Sequence, residues 1–392
     1  MEAVNYQSIF NGMKAVKIII ALVVLALVAW GLTLLSNKTP VAEAGPIKIG
    51  FVGPLSGDGA SFGETEKNAT EMALAEIKSS DVFKNRTIEI VYEDGKCNGK
   101  DATTAAQKLI QVDKVKVILG GVCSSETLAI APIVEQNKVV LFSAFSSNPA
   151  ITNSGDFVFR NAPSDSDVAK LDAQAIMNKS YKKVAIVSEI NDYAQGVLKI
   201  MKETLAFANV PVVLDESFKS GTTDFRDIVL KVKQSGADVV YINPGSSGKT
   251  AGLFVKQLKE TGVKIAIHGN FTLGTPDAFA TAGTYLEGVI ISDGAPNGQK
   301  LSSLLDAYQT QFGNKAANDF EFGAAYDRMK IVAQAIAAVG DDSEKIKQYL
   351  YQMPEYDGLV GKFKFDQNGD VAGGPFFTNF LITEGTKQLL AD

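Results

Sequence analysis

From Ile47 onward the chain alternates short β-branched apolar runs with longer stretches whose apolar residues recur every three or four positions. A two-residue period marks strands and a 3.6-residue period marks amphipathic helices. The first block reads as strand 47–52, helix 64–79, strand 88–92, helix 102–111, strand 115–119, helix 126–136 and strand 139–142. A polar stretch, Asn161 to Asp167, follows, and then the alternation restarts. Strand 184–188 precedes helix 194–207, strand 212–218 precedes helix 225–234, and strand 239–242 precedes helix 250–260. Strands 264–268 and 288–292 complete the second block. Such alternation predicts parallel sheets covered by helices, an α/β fold. The tail adds expected helices at 301–311, 316–339 and 343–352, then apolar runs 362–365 and 376–382 around Asp366-Gln-Asn-Gly-Asp370. An Asn-Gly pair between two such runs predicts a hairpin turn, and its glycine sits one place out for an EF-hand calcium loop.

The N-terminal pattern is different. Lys14 and Lys17 precede an apolar run from Ile18 to Leu35, interrupted only by Gly31 and Thr33. As a helix it is about 27 Å long, enough to cross a hydrocarbon core. It lacks the polar face of an amphipathic core helix. The basic flank keeps the N-terminus in the cytoplasm and places everything after Leu35 outside. Ala42-Glu43-Ala44 is a small-x-small sequence of the signal-peptidase type, so this segment is either a cleaved signal peptide or a retained membrane anchor. Residues 36–46 read as a tether, and the globular part is expected to be extracytoplasmic.

Length and composition narrow the function. At 392 residues the chain exceeds one ordinary core and predicts two lobes. A net charge of −6 lacks the basic stripe that nucleic acid requires. With two cysteines and one histidine, no Cys/His metal cluster can form. Any Ser–His–Asp triad would have to use His268, which sits in an apolar strand and reads as structural. Gly53-Pro-Leu-Ser-Gly57 fits neither dinucleotide nor P-loop spacing. An enzyme is therefore disfavoured, and no cofactor is expected.

Two helix starts carry the binding chemistry. Cys97 and Cys123 both lie just beyond expected strand ends, on one rim of the first block, and should pair in an oxidising compartment. Ser124 and Ser125 follow Cys123 at the start of a helical pattern. Either caps that helix, or its hydroxyl joins the free backbone N–H groups in holding an anion such as a carboxylate. Phe145-Ser146-Ser147-Asn148-Pro149 marks a second start on the same rim, with proline at the first helical position. Phe62, in a glycine-rich turn, and Tyr193, opening the first helix of the second block, are aromatic candidates for contact or for packing.

These residues resemble a known family. Ile47-Lys-Ile-Gly-Phe-Val-Gly-Pro-Leu-Ser-Gly57 followed by Phe62-Gly63 is similar to the opening of the branched-chain amino-acid binding proteins, the type I periplasmic components of ABC importers. Gly121-Val-Cys-Ser-Ser125, Pro149-Ala-Ile-Thr152, Asn161–Asp167, Asp192-Tyr-Ala-Gln-Gly196, Leu286-Glu-Gly288 and Gly361–Asp370 continue the resemblance to the end of the chain. It implies two Rossmann-like doubly wound lobes joined by a three-stranded hinge that closes on the ligand. Lobe one is then 47–163 with 293–359, and lobe two 164–292 with 360–392. It also implies that Ser124 and Ser147 hold the ligand carboxylate. The Phe145 carbonyl and an acid of lobe two would hold its ammonium. That acid falls at Asn270 or Phe271, and neither is acidic. Asn270 can accept one hydrogen bond, Asp165 or Glu189 can substitute, or the ligand is an amide, urea-like solute or other carboxylate. The implied partners are a small-molecule ligand, an amino acid or a related solute, and ABC permease subunits. The alternative role is a ligand-sensing ectodomain of a membrane receptor.

Overall fold

Fifteen strands form three sheets in a computed structural model that describes residues 45–80, 83, 86–295 and 298–390. The expected signal or membrane helix lies outside the described residues, and none of the helices described is long and apolar enough to cross a membrane. Residues Ile47–Asp392 make up one compact unit.

The first sheet is parallel throughout, in the order β2-β1-β3-β4-β5. Its strands are β1 (Ile47–Gly53), β2 (Ile88–Asp94), β3 (Val117–Gly120), β4 (Val140–Ser143) and β5 (Val158–Arg160). Helices α1 (Ala60–Ser79), α2 (Gly99–Gln111) and α3 (Ser124–Asn137) connect them. Near-continuous apolar runs such as Val-Ile-Leu in β3 are what a strand buried on both faces requires.

The second sheet has seven strands in the order β15-β14-β10-β9-β8-β6-β7. They are β6 (Val184–Glu189), β7 (Val212–Phe218), β8 (Val239–Asn243), β9 (Ala266–Gly269), β10 (Ile290–Gly294), β14 (Phe377–Thr383) and β15 (Thr386–Leu389). Its helices are α4 (Asp165–Asn178), α5 (Asp192–Phe207), α6 (Arg226–Gln234), α7 (Gly248–Glu260) and α8 (Pro276–Ala282). The parallel reading holds through β10. Strands β14 and β15 then add an antiparallel edge, so this sheet is mixed.

The tail helices return to the first sheet. These are α9 (Gln299–Phe312), α10 (Asp319–Val339) and α11 (Ser343–Gln352), with α10 packed along α1. Helix α10 is apolar nearly all round because it is buried nearly all round. A small antiparallel sheet of β11 (Tyr356–Gly358), β12 (Gly361–Phe365) and β13 (Val371–Gly373) follows. Phe365 packs edge-to-face with Phe142 and Phe159, ring centroids 5.4 and 5.3 Å apart. Asp370 forms an ion pair with buried Arg160 at 2.6 Å. The segment through Gly373 therefore stays beside the first sheet, and the chain passes between sheets after β5, after β10 and after β13.

Two expectations need correction. The Asn-Gly hairpin exists, but its second arm is β13 and not the run at 376–382. Gly373-Gly374-Pro375 interrupts the chain, and that later run pairs with β10 instead. The second is an omission: no helix was expected between the strands at 139–142 and 184–188, yet α4 begins inside the polar stretch, where Ser164 caps it by accepting from the Ser166 N–H.

Candidate functional site

Both sheets change strand order at a point where β-to-α loops diverge. In the first sheet β1 lies between β2 and β3, and in the second β6 lies between β7 and β8. A crevice forms beyond the carboxyl ends of the strands at such points. Phe62 comes from the start of α1, Val122–Ser125 follow β3, and Phe145 follows β4. From the other side come Asn191 and Tyr193 after β6, Gly245 after β8 and Phe271 after β9. With Cys97 these residues line one cavity of about 30 Å³, room for about two waters.

One end of the cavity is the first turn of helix α3. Its N-cap is Cys123, so neither serine caps it; Ser124 and Ser125 are its first two helical residues. The Glu126 and Thr127 N–H groups donate to the Cys123 carbonyl at 3.0 and 3.1 Å. The N–H groups of Ser124 and Ser125 have no acceptor within the helix, and the positive end of its dipole lies with them. Ser124 is buried, and its Oγ accepts the Asn148 N–H at 3.2 Å.

Two devices fix this turn. Cys97 and Cys123 are joined by a disulfide, with Cα atoms 5.2 Å apart. Behind it the buried carboxylate of Glu126 accepts from the N–H groups of Cys97, Val122 and Cys123, each at 3.0 Å. Burial pushes the Glu126 carboxyl up to about 8, against the pull of those three donors.

The remaining wall is aromatic. Phe145 and Phe271 have ring centroids 5.0 Å apart, and Phe62 lies 5.8 Å from Phe145 and 6.1 Å from Phe271. Tyr193 is 5.8 Å from Phe271, its hydroxyl buried and without a hydrogen-bond partner. Rings carried by the first sheet thus meet rings carried by the second. Gly245 permits this, since a methyl group there would come within 2.7 Å of the Tyr193 ring.

Three expected site residues lie outside the cavity lining. Ser146 is turned inward, donating to the Gly121 carbonyl at 2.9 Å and contacting Thr127 Oγ1 at 2.6 Å. Ser147 is half-buried, and its carbonyl accepts the Asp165 N–H at 2.8 Å. Asn270 is fully buried, donating to the Pro244 carbonyl at 2.7 Å and accepting from the Thr272 N–H at 3.1 Å. The second helix start is capped by Asn148, whose Oδ1 accepts the Ala150 N–H at 2.8 Å above a short 3-10 helix, Pro149–Asn153.

Neither substitute acid lines the cavity. Glu189 accepts from the Gly245 and Ser246 N–H groups at 2.7 and 3.0 Å and from the Ser220 and Ser246 hydroxyls. Asp165 lies behind Ser147, where burial pushes it up to about 7 against a hydrogen bond from Ser147. His268 is buried in β9, edge-on to Tyr181, and burial lowers it to about 4. Asn191 and Gly245 were missed in the sequence. The signal for Gly245 is Asn243-Pro-Gly-Ser-Ser247, a turn-forming stretch after a strand like the one at Cys123, and for Asn191 it is its place as N-cap just before Asp192-Tyr193. Among the described residues no group of His, Cys, Asp and Glu is arranged to hold a metal ion.

Known proteins share this fold. A leucine-, isoleucine-, valine-, threonine- and alanine-binding protein of Pseudomonas aeruginosa is 27% identical over 338 residues, 85% of this chain and 89% of that one. The branched-chain amino-acid transporter substrate-binding protein LivJ of Streptococcus pneumoniae, solved with isoleucine, superposes with a TM-score of 0.79 at 25% identity. The match covers 88% of this chain and 98% of that one. An ABC-transporter solute-binding protein of R. palustris, solved with benzoate, has the same fold at 19% identity, with a TM-score of 0.78 over 88% of this chain and 96% of that one. The periplasmic binding protein family model matches residues 46–379, almost the whole of the two-sheet unit with its crevice, and the chain belongs to that family.

Proposed function

We propose that this chain is the extracytoplasmic substrate-binding component of an ABC importer, which holds a small carboxylate-bearing solute between two hinged lobes and delivers it to permease subunits. The observation that carries this reading is the cavity between the two sheets, with the first turn of α3 at one end and rings from both sheets around it. Two first-turn N–H groups and the Ser124 hydroxyl match one carboxylate. Relatives named for leucine, isoleucine, valine, threonine or alanine favour an amino-acid-sized solute. The chain's three passages between sheets suit hinge closure. A cavity of about 30 Å³ is too small for such a solute, so the lobes must part to admit it. The N-terminal apolar run supports export, with the segment cleaved or kept as an anchor.

The test is a thermal-shift screen of the purified protein against the twenty amino acids, small amides, urea and simple carboxylic acids. A ligand at 100 times its Kd adds about 2.7 kcal/mol to stability, so the unfolding midpoint should rise clearly with at least one of them. A flat response across the whole panel would reject the reading.

A further inference from the structure

Building on the crevice as a carboxylate site, we propose that Glu126 is a positioning residue of that site and makes binding proton-linked. A ligand carboxylate held by the first turn of α3 draws a proton from solvent onto a buried carboxyl cluster behind that turn. The anion then binds more tightly as pH falls toward neutral. The turn 122–125 has two sides, and one of them lines the cavity. The other rests on Glu126, whose carboxylate accepts the N–H groups of Val122, Cys123 and, across the disulfide, Cys97. A ligand carboxylate would therefore meet a second carboxylate through one turn of backbone. Glu126 is fully buried, so solvent does not screen the two, and each like charge favours the protonated form of the other.

Glu126 belongs to a group. Glu66 lies on α1 one turn beyond the cavity-lining Phe62, Glu321 lies in the first turn of α10, and both are fully buried, as is Arg328 of α10. The Ala317 N–H donates to Thr65 Oγ1 at 2.9 Å, which ties the two helix starts together. Glu66 meets Arg328 at 2.6 Å, whereas neither oxygen of Glu321 has a hydrogen-bond partner among the described residues. Fully ionised, three carboxylates and one guanidinium would leave two unbalanced negative charges in the interior, and such a group holds protons instead. Burial raises all three carboxyls, Glu126 to about 8 with the charge of Glu66 adding to the push. Glu126 thus faces Glu66 of α1, with Arg328 and Glu321 of α10 next to Glu66, and N–H groups from the disulfide loop. A ligand anion adds one more negative neighbour, so the complex keeps a proton that the free protein releases as pH rises through 8.

Proton counting tests this. Leucine, 4-methylpentanoate and benzoate are titrated calorimetrically into the purified protein from about pH 6.5 to about pH 8.5, in paired buffers of different ionisation enthalpy. Benzamide and 4-methylpentanamide are the controls without an anion. A carboxylate that binds is expected to take up a proton near pH 8, and its affinity to fall about threefold or more across the range. Glu126→Gln should bind the same anion with no uptake and a level pH profile. The other buried acid near the crevice is Asp165, which faces Ser147 and whose Oδ2 has no hydrogen-bond partner among the described residues. Uptake that persists in Glu126→Gln therefore assigns the proton elsewhere and overturns the inference. A wild-type protein that binds a carboxylate without uptake, or an amide with equal uptake, overturns it too and leaves the solute-binding function standing. Silence with all three carboxylates also overturns it, and the broader screen then decides the function separately.

Discussion

Ser124 uses one hydroxyl in two directions: its oxygen accepts the Asn148 N–H at 3.2 Å, and its proton remains available to an anion in the crevice. Replacing it with alanine removes a donor to the ligand and leaves the Asn148 N–H without its acceptor. Ser124→Ala should therefore weaken carboxylate binding by about 1–3 kcal/mol, with a smaller loss in stability. Calorimetric titration of the best ligand checks this, and unchanged affinity would remove Ser124 from the site. Ser146 shows why such residues cannot be sorted from sequence alone. It belongs to the same kind of serine-rich helix start, yet its hydroxyl is spent on the Gly121 and Val122 carbonyls. Those acceptors belong to a different β–α loop, 24 or 25 residues away in sequence. Asn270 is a similar case, committed to Pro244 across 26 residues.

Helix α5 offers a test of closure at the scale of an element. Its first turn lies against the loop that holds Asn148 and Pro149, and Asn148 Nδ2 donates to the Asp192 carbonyl across the lobes. A methyl group at Gly196 would come within 2.7 Å of that Nδ2 and 3.2 Å of Pro149 Cδ. Within a helix, alanine is favoured over glycine by up to about 1 kcal/mol. Gly196→Ala should therefore keep or raise the unfolding midpoint of the free protein while weakening its ligand, because the clash exists only with the lobes together. Equal affinity in the variant would mean that this seam does not close on the ligand. Most elements were readable because long β-branched runs and wide apolar stripes leave little choice. Helix α4 was not. Its buried face is Asp165, Val168, Ala169, Asp172, Ala173, Ala175 and Ile176, small residues interrupted by acids. Asp172 can occupy that face because the Tyr241 hydroxyl, from β8, donates to it. Strand β5 has only three residues, too short for a period to show. The hairpin partner failed for another reason: 376–382 alternates well, but pairing is set by which neighbour it meets, and β10 was beyond local reach.

Across the whole molecule, burial of acids gives stability a pH dependence whose sign can be worked out. Burial pushes Glu126 up to about 8 and Asp165, Asp172 and Asp327 up to about 7, from ordinary values of 4.5 for glutamate and 3.8 for aspartate. Glu66 and Glu321 shift the same way for the same first cause, although Arg328 lies 2.6 Å from Glu66. Between those ordinary and raised values the folded chain holds protons that the unfolded chain has released. Stability from these groups is fully present at low pH and is lost as pH rises through 7 and 8. His268 acts oppositely: lowered to about 4 by burial, it costs stability as pH falls below its ordinary 6.5. The exposed, ion-paired Asp224, held at about 2, begins to matter only at still lower pH. In the window from pH 8 down to about 6.5 the buried acids therefore act without opposition, and the unfolding midpoint should rise on acidification. Asp172→Asn should flatten that slope, since its amide oxygen still accepts from Tyr241 but no longer titrates. A midpoint that is level or falls between pH 8 and 6.5 would show that these carboxyls are hydrated or paired in solution. The same scan with saturating ligand asks whether Glu126, behind the first turn of α3, takes up or releases a proton on binding. An unchanged slope would confine its role to holding the disulfide loop.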